Sequence, residues 1–235
     1  AVTGPDGFIA WHTRCAARAR WGGDLVGLGP AEFADEDLLA ATLADVDAVI
    51  HLAGVNRAAD EAEIAEVNPW LAQRLVTALR GREVPVIYGN SIHSNGDSVF
   101  GVAKRRAAEI LGESVPLVDV VLPNIFGEQG RPHYNSVVAT FSHLIARGEQ
   151  PNLVDDKQLP LLHVQRAAQI LLDQAVAPEV GRVEVPGHST WVSQVLERLQ
   201  TMAEDYRTGL LPDLADPFTR DLFNTYRGYT FPDSF

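Results

Sequence analysis

Apolar residues in this chain fall into short runs, and the stretches between them repeat on a helical period. Val2-Thr3 and residues 24–28, 46–54, 84–88 and 117–122 are brief, rich in aliphatic or β-branched residues and bounded by Gly, Pro or charge, which predicts strands. Residues 11–20, 31–43 and 100–111 carry helical spacing; in the second of these the apolar positions are Phe33, Leu38, Leu39 and Leu43. Residues 58–80 read as one long helix kinked at Pro69, and 89–98 as a loop. Strands alternating with helices predict right-handed βαβ units, so the expected fold is α/β: a Rossmann-type parallel sheet flanked by helices.

After residue 125 the pattern changes. A helix is expected over 134–147, with Val137, Val138, Phe141, Leu144 and Ile145 on one face, and a short strand over 159–164. Further helices are expected over 164–177 and 190–206, and the tail 210–235, rich in Pro and aromatics, is expected to dock on the body. No linker-like stretch intervenes. The expected organisation is a dinucleotide-binding core over 1–125 and a small mixed substrate-side region over 126–235, with a strand and helices returning to the core, in one integrated unit.

The run Val2-Thr3-Gly4-Pro5-Asp6-Gly7-Phe8-Ile9-Ala10 carries the chemistry of the first strand–helix turn. Gly4 permits the turn, Gly7 lets a pyrophosphate approach the backbone, and Ala10 keeps the helix close to the sheet. Gly4, Asp6, Gly7, Phe8 and Ile9 are therefore candidate cofactor contacts, with the free N–H groups of the helix start facing the phosphates. An ordinary βα turn is the alternative. The chain begins at Ala1, inside the strand and without Met, so residues are expected to precede it.

A net charge of -12 argues against a nucleic-acid partner, which needs a basic face. No apolar run is long enough to span a bilayer and no signal peptide is visible. One cysteine, Cys15, suits a reducing, cytoplasmic setting. The seven histidines show no zinc-like spacing, so no metal is expected.

The chain resembles the extended short-chain dehydrogenases/reductases, the family of nucleotide-sugar epimerases and dehydratases. The Gly4–Ala10 run, His51-Leu52-Ala53-Gly54 and Leu122-Pro123-Asn124-Ile125-Phe126-Gly127 carry the resemblance. More narrowly, His51-Leu52-Ala53-Gly54-Val55-Asn56-Arg57, residues 131–141 and Asp221-Leu222-Phe223-Asn224-Thr225-Tyr226 resemble the reductase half of bacterial capsular-polysaccharide enzymes. Those enzymes reduce the 4-keto group of a UDP-linked N-acetyl-dideoxyhexulose with NADPH. The resemblance implies a nucleotide-sugar substrate, NADP (NAD remains open), and a homodimer through the helices at 58–80 and 100–111. Cofactor contacts are implied at Leu52, Ala53, Gly54, Lys104, Pro123 and Asn124, and substrate contacts at Asn56, Arg57, Asn124, Arg131, Tyr134 and Asn135. The capsular enzymes continue into a cupin epimerase domain where this chain ends, so epimerisation is expected to be absent here, with a separate cupin protein as a candidate partner.

The family's chemistry needs a Tyr that passes a proton, a Lys four residues on, and a Ser. Four-residue spacing puts the first two on one helical face. Lys104 and Ser91 match, but the Tyr position is Phe100, which has no ionisable proton. His93 is the candidate stand-in, with Tyr88 and Tyr134 as further options. After the second strand, NAD enzymes place an acid on the ribose and NADP enzymes an Arg nearby; Gly27-Leu28-Gly29-Pro30 has neither. Asp35 and Asp37 either approach the adenine or serve only as helix-start acids. Two functions stay open: an oxidoreductase on a nucleotide sugar, or an impaired homologue that binds a dinucleotide or nucleotide sugar, or scaffolds a partner.

Overall fold

A computed structural model describes residues 1–231. In chain order the elements are β1 (Val2–Thr3), α1 (Phe8–Trp21), β2 (Gly27–Leu28), α2 (Pro30–Ala34), α3 (Glu36–Leu43), β3 (Val49–His51), α4 (Glu61–Ala78), β4 (Val86–Ser91), a 3-10 turn (Ile92–Asn95), α5 (Val99–Gly112), β5 (Leu117–Leu122), β6 (Asn124–Phe126), α6 (Val137–Ala146), β7 (Gln158–His163), α7 (Val164–Val176), β8 (Gly181–Glu184), β9 (His188–Trp191), α8 (Val192–Arg207) and α9 (Pro217–Thr230). They form two compact units. The first is Ala1–Leu122 with Gln165–Val185, the second Pro123–Val164 with Pro186–Phe235.

The first unit is a six-stranded sheet in the order β2-β1-β3-β4-β5-β8, every pairing parallel. Its core joins Leu28, Phe33, Leu39 and Leu43 to Leu71, Leu75 and Leu79 of the α4 segment and to Val86, Tyr88 and Leu111. Leu71, Leu75 and Leu79 recur every four residues, which gives α4 one buried stripe against α3 and α5. In the second unit, β7 pairs parallel with β6 and antiparallel with β9. Helices α6, α8 and α9 pack together over Phe126, Phe141, Leu199, Leu222, Phe223 and Tyr226.

The α/β architecture follows the apolar pattern; the departures have local causes. The helix expected over 31–43 is two helices, because Asp35 is extended (φ -119, ψ 114) and its carboxylate accepts the Leu38 N–H as the cap of α3. The strand expected over 46–54 stops at His51, because the next two N–H groups go to the Thr3 hydroxyl. The helix expected from 134 starts at Val137, after its Ser136 cap. Strands β6, β8 and β9 escape the pattern: β8 is Gly181-Arg182-Val183-Glu184, mostly exposed and held by pairing with β5, and Thr190-Trp191 ends β9 rather than starting a helix. The tail contains α9, capped by Asp216 with Pro217 in its first turn, and its buried Phe218, Leu222 and Tyr226 face α6 and α8. Residues 232–235 of that tail lie outside the described residues. No helix among those described is long and apolar enough to cross a membrane.

Leu75 is fully buried, whereas Val154 is 88% exposed. Leu75→Ala is expected to cost about 2–5 kcal/mol, and Val154→Ala about 0.5 kcal/mol at most, in urea melts. Equal costs would place the core of the first unit elsewhere.

Candidate functional site

The strand order reverses at β1: β2 lies on one side of it and β3 on the other. In open α/β sheets, ligands bind outside the carboxyl ends of the strands at such a switch point. Here those ends are tied by one side chain. Thr3 Oγ1 accepts from Leu52 N at 3.0 Å and from Ala53 N at 2.8 Å, and lies 2.8 Å from His51 Nδ1. A hydroxyl has one donor and two acceptor sites, so the Thr3 O–H donates to Nδ1 and the imidazole proton sits on Nε2. Burial, then the Lys104 charge, holds His51 down at about 3, which keeps it neutral as this bond requires.

Gly4 follows with φ +62, and a Cβ there would lie 3.1 Å from Ala53 Cα. Both facts demand glycine. The turn closes with Gly7 N donating to Gly4 O at 2.9 Å. Gly7 caps α1 with no side-chain bond, and no acid sits in the first turn, so the helix presents its N–H groups uncapped. Asp6 is exposed, and Phe8 and Ile9 are half-buried. The segment carrying Gly54, Asn56 and Arg57 is clamped by Asn68 of α4. Its Oδ1 accepts from Val55 N at 3.1 Å, and its amide donates to Val55 O and Ile64 O, each at 2.9 Å.

At the end of β2, Glu32 folds back so that Oε2 accepts the Gly29 N–H at 2.7 Å. The sequence alone places no acid here; the structure supplies one from three residues downstream. Asp35, an adenine candidate, is occupied capping α3.

The other candidate corner lies at the end of β4. Ser91 caps the 3-10 turn, its Oγ accepting from His93 N at 3.3 Å. His93 is exposed, and its ring meets Phe100 edge-on at 6.4 Å between centroids. A Cβ on Gly101 would lie 2.2 Å from His93 O, so the turn and α5 touch through a glycine. The structure therefore brings Ser91, His93 and Phe100 together, with Lys104 one turn further along α5. Lys104 points inward: Nζ donates to Gly89 O at 2.8 Å and sits 3.9 Å above the Tyr88 ring. Burial pushes it down to about 7, while Asp119 opposes the shift. Tyr88 is buried, raised well above its ordinary range by that burial, and its hydroxyl meets Lys104 O at 3.4 Å. Asp119, raised by its own burial, holds Asn90 at 2.7 Å, and Asn90 Oδ1 accepts the Ser91 N–H at 2.8 Å. Arg182 bridges Asp119 (3.3 Å) and Asn95 (2.7 Å), fastening both ends of the Ser91–His93 segment. These supports come from elements far apart in sequence and left no local signal.

In the second unit, Asn124 donates to Pro160 O at 3.2 Å, and Pro123 is buried. The Arg131 guanidinium lies 5.1 Å from the Tyr134 ring centre. The cap of α6 is Ser136. Two non-glycine residues in this stretch are left-handed, Gln129 (φ 65) and His133 (φ 56). His133 is steadied by its N–H on Thr140 Oγ1 at 3.0 Å, and buried His163 Nε2 lies 3.0 Å from Glu128 Oε2. No group of three His, Cys, Asp or Glu that could hold a metal occurs among the described residues.

No protein-family model matches the chain. It is 32% identical, over its whole length, to the UDP-2-acetamido-2,6-beta-L-arabino-hexul-4-ose reductase of Pseudomonas aeruginosa, and spans 65% of that relative, just under two thirds. The capsular polysaccharide assembling protein CapF of Staphylococcus aureus matches with a TM-score of 0.77 and 25% identity, over 97% of this chain and 64% of that one. The UDP-N-acetylglucosamine 4-epimerase of Methanobrevibacter ruminantium, in complex with UDP-N-acetylmuramic acid, has the same fold: TM-score 0.82 at 19% identity, over 97% of this chain and 96% of that one. The chain shares its fold with these proteins.

The buried lysine makes stability depend on pH. Between about 7 and 10.5 the unfolded chain keeps a proton that folded Lys104 has released, so stability rises with pH across that window. Lys104→Met is expected to flatten the rise in urea melts between those limits. An unchanged slope would mean that Lys104 stays charged in the folded protein.

Proposed function

We propose that the chain is a nicotinamide-dinucleotide-dependent oxidoreductase acting on a nucleotide sugar, with reduction of a 4-keto group as its reaction. The observation that carries this is the Gly4–Gly7 turn, closed against Ala53 at the switch point and feeding an uncapped helix. A pyrophosphate fits that geometry. In this reading Gly4, Asp6, Gly7, Phe8 and Ile9 hold the pyrophosphate side, and Leu52, Ala53, Gly54, Pro123 and Asn124 line the rest of the cofactor. Asn56, Arg57, Arg131, Tyr134 and Asn135, with Asn124, serve the nucleotide sugar. A homodimer through α4 and α5 belongs to the same reading, as does a cytoplasmic setting.

A bound reduced nicotinamide would supply the hydride for the carbonyl carbon, and the carbonyl oxygen would need one proton. Ser91 is suited to hold that oxygen and Lys104 the nicotinamide ribose. Phe100 has no proton to give. His93, exposed at the Phe100 edge, is the donor we assign. A second reading is favoured by Phe100 together with the inward Lys104, which sits on Gly89 O and Tyr88: a homologue that binds a dinucleotide or nucleotide sugar and turns nothing over.

Phe100→Tyr separates the two. The expected outcome is a gain of about 10²–10⁴-fold in turnover of a 4-keto UDP-sugar, with the slower native rate abolished in His93→Ala. An unchanged rate in His93→Ala removes His93 from the scheme. No turnover in Phe100→Tyr, despite bound dinucleotide, favours the binding protein.

A further inference from the structure

We infer that Glu32 selects the dinucleotide: its carboxylate accepts from the adenosine ribose hydroxyls of NAD(H) and repels the 2′-phosphate of NADP(H). This rests on the reading of the Gly4 turn as a dinucleotide site.

In such a site the adenosine ribose lies outside the carboxyl end of the second strand, where an acid takes its hydroxyls. Here that end is Leu28-Gly29, and Gly29 has no side chain. The end of β2 lies beside the turn, since Gly4 N donates to Leu28 O at 2.9 Å. Glu32 brings its carboxylate to this spot by accepting the Gly29 N–H through Oε2 at 2.7 Å. That bond fixes the group and leaves Oε1 for a ligand hydroxyl. Pro30 in the first turn of α2 stiffens the same corner.

A 2′-phosphate finds the opposite of what it needs. Arg14 reaches the turn through Pro5 O, but its guanidinium is bound to Asp24 by two bonds, of 3.2 and 2.9 Å. Arg74 reaches Phe33 O and pairs with Glu36. Both arginines are already paired with carboxylates, and the side chain that reaches the end of β2 is the acid Glu32.

The test is calorimetric titration of the whole chain with NADH and with NADPH. NADH is expected to bind at least about tenfold more tightly, the scale of one hydrogen bond to a charged group. Glu32→Gln keeps an amide oxygen for the Gly29 N–H and loses the charge. It is expected to weaken NADH about tenfold and bring the two affinities close together. Equal or tighter NADPH binding by the native chain, or an unchanged ratio in Glu32→Gln, overturns the assignment. Binding of both dinucleotides without preference overturns Glu32 alone, whereas binding of neither overturns the dinucleotide site and Glu32 with it. Should Glu32→Gln not fold, displacement of NADH from the native chain by ADP-ribose and by its 2′-phosphorylated form decides: ADP-ribose competes better, or the assignment fails.

Discussion

The Thr3 hydroxyl is the bond on which the first unit's site depends. It sits at the end of a two-residue strand, too short to hold its neighbours by ladder bonds alone. By accepting two successive N–H groups it ends β3 and draws Ala53 over the first turn. That approach leaves no room for a Cβ at residue 4, so the glycine is dictated from outside its own strand. It also settles the protonation of His51, whose Nδ1 must accept. A neutral imidazole stacked on Tyr88 at 5.3 Å then makes one wall of the pocket in which Lys104 is buried. Turn, histidine and lysine are thus a single arrangement.

Burying a lysine is costly unless its charge is met or given up. Here the ammonium has one carbonyl, one aromatic face and the field of Asp119, and Asp119 is itself shared with Asn90 and Arg182. The compensation is partial, which is why burial wins and Lys104 titrates low. The same carboxylate supports Ser91 through Asn90, so the charge state of the buried lysine and the placement of Ser91 share one anchor.

The sheet was legible in the sequence because a parallel strand buried on both faces writes itself as an apolar run, and because Gly4 and Gly7 mark a turn that few other residues can make. Ser91, Phe100 and Lys104 are singled out by the family resemblance and His93 as a stand-in, and all four lie in the first unit. What was not legible depends on partners remote in sequence or on a side chain folding back. Asn68, Asp119 and Arg182 act on loops some 13 to 87 residues away. Glu32 reaches the place where the strand's own residue carries no side chain. Strands β8 and β9 carry little apolar pattern because a single neighbour, β5 or β7, defines them.

Phe100 at the start of α5 meets the His93 ring edge-on, a contact of shape that asks for no hydroxyl. The second unit holds its backbone differently. Left-handed Gln129 and His133 each cost about 1–2 kcal/mol of backbone energy, and the stretch is held by contacts that offset it: Thr140 on His133, the Tyr229 hydroxyl on Gly130 O, and Glu128 against buried His163. Burial, then the nearby Glu128 carboxylate, pushes that tyrosine up to about 12, so it remains a donor to the carbonyl at neutral pH. Arg131 lies between the two strained residues. The left-handed backbone of the second unit is thus held from α6 and α9, two elements outside the strained stretch itself.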